Sequence, residues 1–311
     1  MKKTVVILGN SQLSLFIAQK LGRQHGDLVH LEIIWLTNTK QLFPATAKPV
    51  KVGAVAGVKL LPANVKSINL NDRRIITTNR TLEYDLLCID QTPVFTSSER
   101  EKIVDQFETL LATIHSQENR GVQAKARVSL RGRTANSYQL ALDLLERKNR
   151  DSSAAVAAVR IEVEANPAGK LGQFLRERGL SLRVSQYPGV TVAAPVGVFP
   201  SKKIRGMKVD LGGEAMTLAT GELPNHSEVL ILEQNRDQAN LARADWQLAG
   251  QIADNITAKL EGGLERPLDQ HNTKLILASR GDYYVELGAM ISARTRARAV
   301  AGLEKRFWRQ R

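Results

Sequence analysis

The chain has 311 residues, 43% of them hydrophobic, which is enough for two packed domains and excludes global disorder. It carries 44 Lys and Arg against 31 Asp and Glu, a formal charge of +13 that favours something anionic as partner without choosing among nucleic acid, a membrane surface and a protein. The single cysteine, Cys88, excludes an intramolecular disulfide and a dithiol redox pair, and its apolar neighbours predict a buried thiol.

Residues 4–8 read as a buried parallel strand, 13–21 as a helix and 31–36 as the next strand, a β-α-β unit. Residues 38–49, with two prolines, read as irregular. Short strands are expected at 58–61, 65–70 and 74–77, with a turn at Asn71-Asp72, and an apolar strand at 84–89. A helix over 99–117 carries the chain out of this unit. A second β-α-β unit follows: strand 126–130, helix 137–147, strand 159–163, a helix over 170–178 ended by Gly179, and strand 181–184. The alanine-rich 151–158 reads partly as loop. Strands at 190–198 and 229–232 precede a long helix, 241–260; a hairpin of 275–278 with 283–287 and a basic helix over 293–311 close the chain.

No run of 18 apolar residues predicts a spanning helix, and the first strand runs into a glycine turn where a signal peptide would need a cleavage site. A cytoplasmic protein, or one peripheral to the inner face of a membrane, is the expectation. The five histidines lack metal-ligand spacing, so no metal is expected.

Two turns hold the main signal. Gly9-Asn10-Ser11-Gln12-Leu13-Ser14 follows the first strand, and Gly132-Arg133-Thr134-Ala135-Asn136-Ser137 follows the strand at 126–130. Each sits where G-x-G-x-x-G opens a dinucleotide-binding unit, and each keeps only its first glycine. The predicted fold class is α/β, with two Rossmann-like dinucleotide-binding domains, the second inserted in the first.

Several segments carry a family resemblance. They are IIWLTNTKQLF within 31–43, LEYDLLCIDQTP over 82–93, the helix end at Gly179, Gly197 with Pro200, and Ala253-Asp254-Asn255-Ile256 with Glu286-Leu287-Gly288. The sequence resembles the type II NADH dehydrogenases, within the pyridine-nucleotide flavoprotein oxidoreductases. That resemblance implies an FAD domain from residues 1–120 and 195–270, an inserted NAD(P)H domain at 121–194, and a C-terminal hairpin and tail at 271–311. It also implies electron transfer from NAD(P)H through FAD to a quinone.

The departures fall on cofactor contacts. Ser11 and Thr134 replace the glycine that lets backbone approach a pyrophosphate, and Ser14 and Ser137 replace the third. Both hydroxyls at the second position have two readings, donation to an anion or capping of their own helices. Asn38 stands where the resemblance places a ribose-binding acid in the outer unit; in the inner unit Glu162 and Glu164 are available, Glu164 the better placed. Asp90 falls on the family's Ala-Thr-Gly and would bring charge near a diphosphate, while Glu233 stands at the family's Gly-Asp. Arg131 and Arg133 flank the inner turn, either pairing with phosphate or lying on a solvated face.

The tail contains Arg294, Arg296, Arg298, Lys305, Arg306 and Arg309, with Val300, Leu303, Phe307 and Trp308 as a partial apolar stripe. A peripheral membrane helix with an interfacial tryptophan and a domain-closing helix with its apolar face turned inward both fit. The expectation for the whole is a divergent, NADH dehydrogenase-like protein without FAD or redox activity, with no cofactor, serving as scaffold or interaction module. Its partner would be an anionic molecule, a membrane surface, a protein complex or a second copy. The alternatives are a working FAD-dependent NAD(P)H oxidoreductase and a basic nucleic-acid-binding protein. Specific nucleic-acid binding is not indicated, for no aromatic-interleaved basic motif occurs.

Overall fold

The computed structural model describes residues 2–44, 48–92, 94–120, 126–130, 135–151, 153–163, 169–182, 190–192, 204–205, 218–232, 242–268, 276–279, 282–287, 290–291 and 294–309. β1 (Lys3–Leu8), α1 (Gln12–His25) and β2 (Leu31–Thr37) form the first β-α-β unit. The hairpin of β3 (Gln41–Leu42) and β4 (Val50–Lys51) precedes β5 (Lys59–Pro62). β6 (Val65–Asn69), β7 (Arg74–Thr77) and β8 (Thr81–Glu83) make an antiparallel meander; β9 (Leu86–Asp90) and α2 (Ser97–Glu118) follow. The second unit runs through β10 (Arg127–Leu130), α3 (Ala135–Arg150), α4 (Ala154–Ala157), β11 (Arg160–Val163), α5 (Gly169–Glu177), β12 (Ser181–Leu182) and β13 (Val190–Val192). The remaining elements are β14 (Ile204–Arg205), β15 (Glu222–Leu223), β16 (His226–Leu232), α6 (Ala242–Glu261), β17 (Ile276–Ser279), β18 (Asp282–Leu287), β19 (Met290–Ile291) and α7 (Arg294–Arg309).

The strands form an outer sheet, β15-β16-β9-β1-β2-β5, parallel except at β15, and an inner parallel sheet, β12-β11-β10-β13. In chain order, the inner sheet falls between β9 and β16, which are hydrogen-bonded neighbours in the outer one. The outer strands are apolar on both faces, as a parallel sheet covered on both sides requires. Val5, Ile7, Ile33, Trp35 and Cys88 pack under α1 and α6, while Val6, Leu8, Ile34, Leu36 and Ile89 pack under the meander. Burial and the nearby Asp90 push the Cys88 thiol far above its ordinary range, so it is inert at neutral pH.

The inner core draws on segments from both sides of its strands. Phe107, Leu111 and Ile114 of α2 cluster with Val128, Leu130, Leu140 and Leu144, as do Leu277 and Tyr284 of the closing hairpin. Arg100 pairs with Asp143 to tie α2 to α3, and Arg178 pairs with Asp282 on β18.

The tail departs from the membrane reading. α7 turns Ala297, Ala301, Glu304 and Trp308 inward, a spacing of four, three and four residues that keeps one helix face. Trp308 is buried against Phe16 of α1, ring centroids 5.4 Å apart, so it is no interfacial anchor. The stripe expected at Val300, Leu303 and Phe307 lies to one side, and Leu303 is 59% exposed. Alanines give little hydropathy contrast, which is why the true inward face was hidden. Among the described residues no helix is long and apolar enough to cross a membrane.

Candidate functional site

β1 ends at Leu8 and α1 begins at Gln12, so residues 9–11 form the turn at the carboxyl edge of the outer sheet, where ligands of open α/β folds sit. The first amides of α1 lack partners within the helix and point into this turn. The chain satisfies them itself. The Ser11 hydroxyl accepts from the Leu13 amide at 3.0 Å, and the Ser14 hydroxyl accepts from the Ser11 amide at 3.1 Å, a reciprocal capping box. Of the two readings of Ser11, this is the capping one.

Both hydroxyls then turn to Asp90 at the end of β9. Ser11 Oγ donates a short hydrogen bond to Asp90 Oδ2, and Ser14 Oγ donates to the same oxygen at 2.8 Å. The other oxygen, Oδ1, accepts from the Thr92 amide at 3.0 Å and the Thr92 hydroxyl at 2.5 Å. Asp90 is 1% exposed, Ser11 2% and Ser14 0%, so a fully buried carboxylate lies beside the N-terminus of α1 with four donors. The macrodipole favours a negative charge there. Sequence reasoning placed Asp90 near this turn as a charge that would repel phosphate; its bonds to Ser11 and Ser14, across 79 and 76 residues, had no sequence signal.

Gly9 keeps its glycine because of this packing. A Cβ there would lie 2.5 Å from Ser14 Oγ and 2.8 Å from Asp90 Cβ. The space beside the turn is therefore taken by Ser14 and Asp90.

The end of β2 is closed in the same manner. Asn10, 1% exposed, donates through Nδ2 to Asn38 Oδ1 and accepts through Oδ1 from Thr37 Oγ1 at 2.8 Å and the Asn38 amide at 3.0 Å. Asn38 Nδ2 donates to Asn64 Oδ1 at 2.8 Å. The residue at the expected ribose position thus binds the loops after β1 and β5. Trp35 Nε1 donates to the Gly9 carbonyl at 3.1 Å and pins the turn from beneath.

α6 starts beside α1. Gln12 Nε2 donates to Asp245 Oδ2 at 2.6 Å, and Asp245 is buried. The first amide of α6, from Ala242, donates to Glu304 Oε1 of α7 at 2.5 Å. Burial raises the Glu304 pKa above the ordinary carboxylate value, and the Ala242 amide opposes that shift. The N-termini of α1 and α6 thus both face carboxylates of the chain. Glu304 as a cap was missed; a lone acid in a basic tail was its only sequence signal.

In the inner unit Ser137 is fully buried near the start of α3, and Glu162 is 3% exposed on β11. Arg131, Gly132, Arg133, Thr134, Glu164, Gly197 and Glu233 lie outside the described residues. Arg294 and Arg296 lie in the first turn of α7; Arg298 is exposed and pairs with Asp282 at 3.2 Å, and Lys305 and Arg306 are exposed. Among the described residues no cluster of His, Cys, Asp and Glu could hold a metal ion.

No protein-family model matches the sequence, and no curated protein does. Solved structures do match the fold. A chain of the Tetrahymena thermophila mitochondrial ATP synthase is similar at a TM-score of 0.59 and 10% identity, over 98% of this chain and 95% of that one. NDH2 from Plasmodium falciparum, solved in complex with NADH, gives 0.57 and 7% over 98% and 97%. The reduced CoADR-RHD of Bacillus anthracis gives 0.56 and 11% over 92% of this chain, which spans 61% of that protein. What these likenesses show is the fold, an α/β architecture with Rossmann-like parallel sheets shared with these structures.

Proposed function

We propose that this chain is a cofactor-free branch of the flavoprotein fold that acts as a non-redox scaffold within a protein assembly. The observation that carries this is the Asp90 carboxylate, bound by Ser11 and Ser14 at the turn where a dinucleotide diphosphate would need those donors and that space. A diphosphate arriving there would meet a buried negative charge and a filled turn. The residues do not fit FAD, and hydride chemistry belongs to the cofactor, so no redox step is assigned.

In this reading residues 1–120 and 195–270 make the FAD-like domain, 121–194 the inserted NAD(P)-like domain, and 271–311 a closing hairpin and helix. The similar chain in the ATP synthase assembly supports a role as a structural component. The test is the visible spectrum of the purified full chain before and after incubation with FAD. A colourless protein that stays colourless after gel filtration is expected. Stoichiometric bound flavin would sink the proposal and restore the oxidoreductase reading, in which NAD(P)H is oxidised through FAD.

A further inference from the structure

Three helices, α1, α6 and α7, share one outer face. Phe16, fully buried on α1, is the hub beneath it, with its ring 5.4 Å from Trp246 of α6 and 5.7 Å from Phe307 of α7. Trp246 and Phe307 are themselves half-buried, 6.3 Å apart. Two cations of α1 sit over the Trp246 ring, Lys20 Nζ at 4.2 Å and the Arg23 guanidinium at 5.5 Å. On α7, helical spacing sets exposed Leu303 beside both Phe307 and exposed Arg306. The face therefore has an aromatic and aliphatic centre with a cationic border.

Its charge is mainly positive, although Asp254 of α6 is an exposed acid that accepts from Gln24 Nε2 of α1 at 3.2 Å. α1 contains no acidic residue. The only acid of α7, Glu304, is buried as the cap of α6, and Asp245 in the first turn of α6 is buried too. A mainly cationic field around an exposed leucine, a tryptophan and arginines complements an acidic protein surface. A membrane surface fits less well. Adsorbed helices turn a broad apolar face outward, and α7 turns its own inward.

We infer that the joint face of α1, α6 and α7 is a docking surface for an acidic protein partner, an inference that rests on the scaffold reading. Trp246 and Leu303 would form the centre, and Lys20, Arg23 and Arg306 would steer association.

The test uses the full chain and labelled poly-L-glutamate, read by fluorescence anisotropy. Binding is expected to weaken with salt and to fall about tenfold in the double variant Arg23→Glu, Arg306→Glu. The double variant Lys51→Glu, Lys66→Glu, at exposed positions on β4 and β6, carries the same charge change and should bind within about twofold of the parent. All four side chains are exposed, so circular dichroism should show every variant folded. Equal losses in the two pairs, or no binding by the parent, would overturn the inference. So would co-sedimentation of the parent with phosphatidylglycerol–phosphatidylcholine vesicles, abolished by Arg23→Glu, Arg306→Glu. Bound flavin would defeat the scaffold reading through the spectrum and leave the anisotropy result unchanged, so the two failures are separable.

Discussion

The two parallel sheets have the same register at their centres and different linings. In the outer sheet Val6 lies opposite Ile34, and both are packed under the meander. In the inner sheet the corresponding pair is Ser129 opposite Glu162, both buried, while Val128, Leu130, Ile161 and Val163 take the other face into the core. The row continues outward in register to Ser181 and Thr191. Each sheet thus buries a carboxylate. Asp90 has four donors; Glu162 Oε1 has no hydrogen-bond partner among the described residues. The difference teaches where polarity is tolerated in this fold. At a strand end, turn amides and hydroxyls converge on the charge, whereas in mid-sheet the backbone is already committed to the ladder.

Substitutions sharpen the contrast. The largest effect is expected for Asp90→Ala, which leaves Ser11, Ser14 and Thr92 without their acceptor and should cost about 3–5 kcal/mol of unfolding free energy in urea. Millimolar inorganic phosphate should recover part of that loss in the variant and do nothing to the parent. Phosphate acting equally on both would break the idea that Asp90 occupies an anion position. Gly9→Ala is next, at about 1–3 kcal/mol, because its methyl meets Ser14 and Asp90. Glu162→Gln, by contrast, should raise stability by about 1 kcal/mol, since it removes a buried charge that has an unpaired oxygen. A clear loss there would show that Glu162 is satisfied after all.

The smallest effect is pH dependence through Glu304. Its folded pKa lies above its ordinary value, so its stabilising contribution is fully present below that ordinary value and is lost as pH rises through the raised one. Glu304→Gln should remove that slope. Urea midpoints of parent and variant should therefore diverge from about pH 4.5 upward, with the parent falling behind. Parallel midpoints would contradict the assignment.

Much of the fold was legible because strand runs in a covered parallel sheet are continuous and apolar. Residues 5–8, 33–36 and 229–232 announce their strands with no partner known. The two-residue strands β3 and β4 were not legible, since their pairing depends on each other and not on any local pattern. Neither was β8, which completes the meander with only three residues. At the turn, the loss of glycines at Ser11 and Ser14 could be read as disabling. What fills that turn could not, because Asp90 reaches those serines only once β9 is docked beside β1. Trp308 failed for another reason: Ala297, Ala301 and an acid, Glu304, mark the buried face of α7, and neither type signals burial.

Because the Asp90 carboxylate is part of the chain, it cannot dissociate. Proteins held together by a bound anion gain stability that grows with the logarithm of its free concentration. The turn at the start of α1 has no such dependence. Its counter-charge is delivered once, at synthesis, and remains at full occupancy at any dilution.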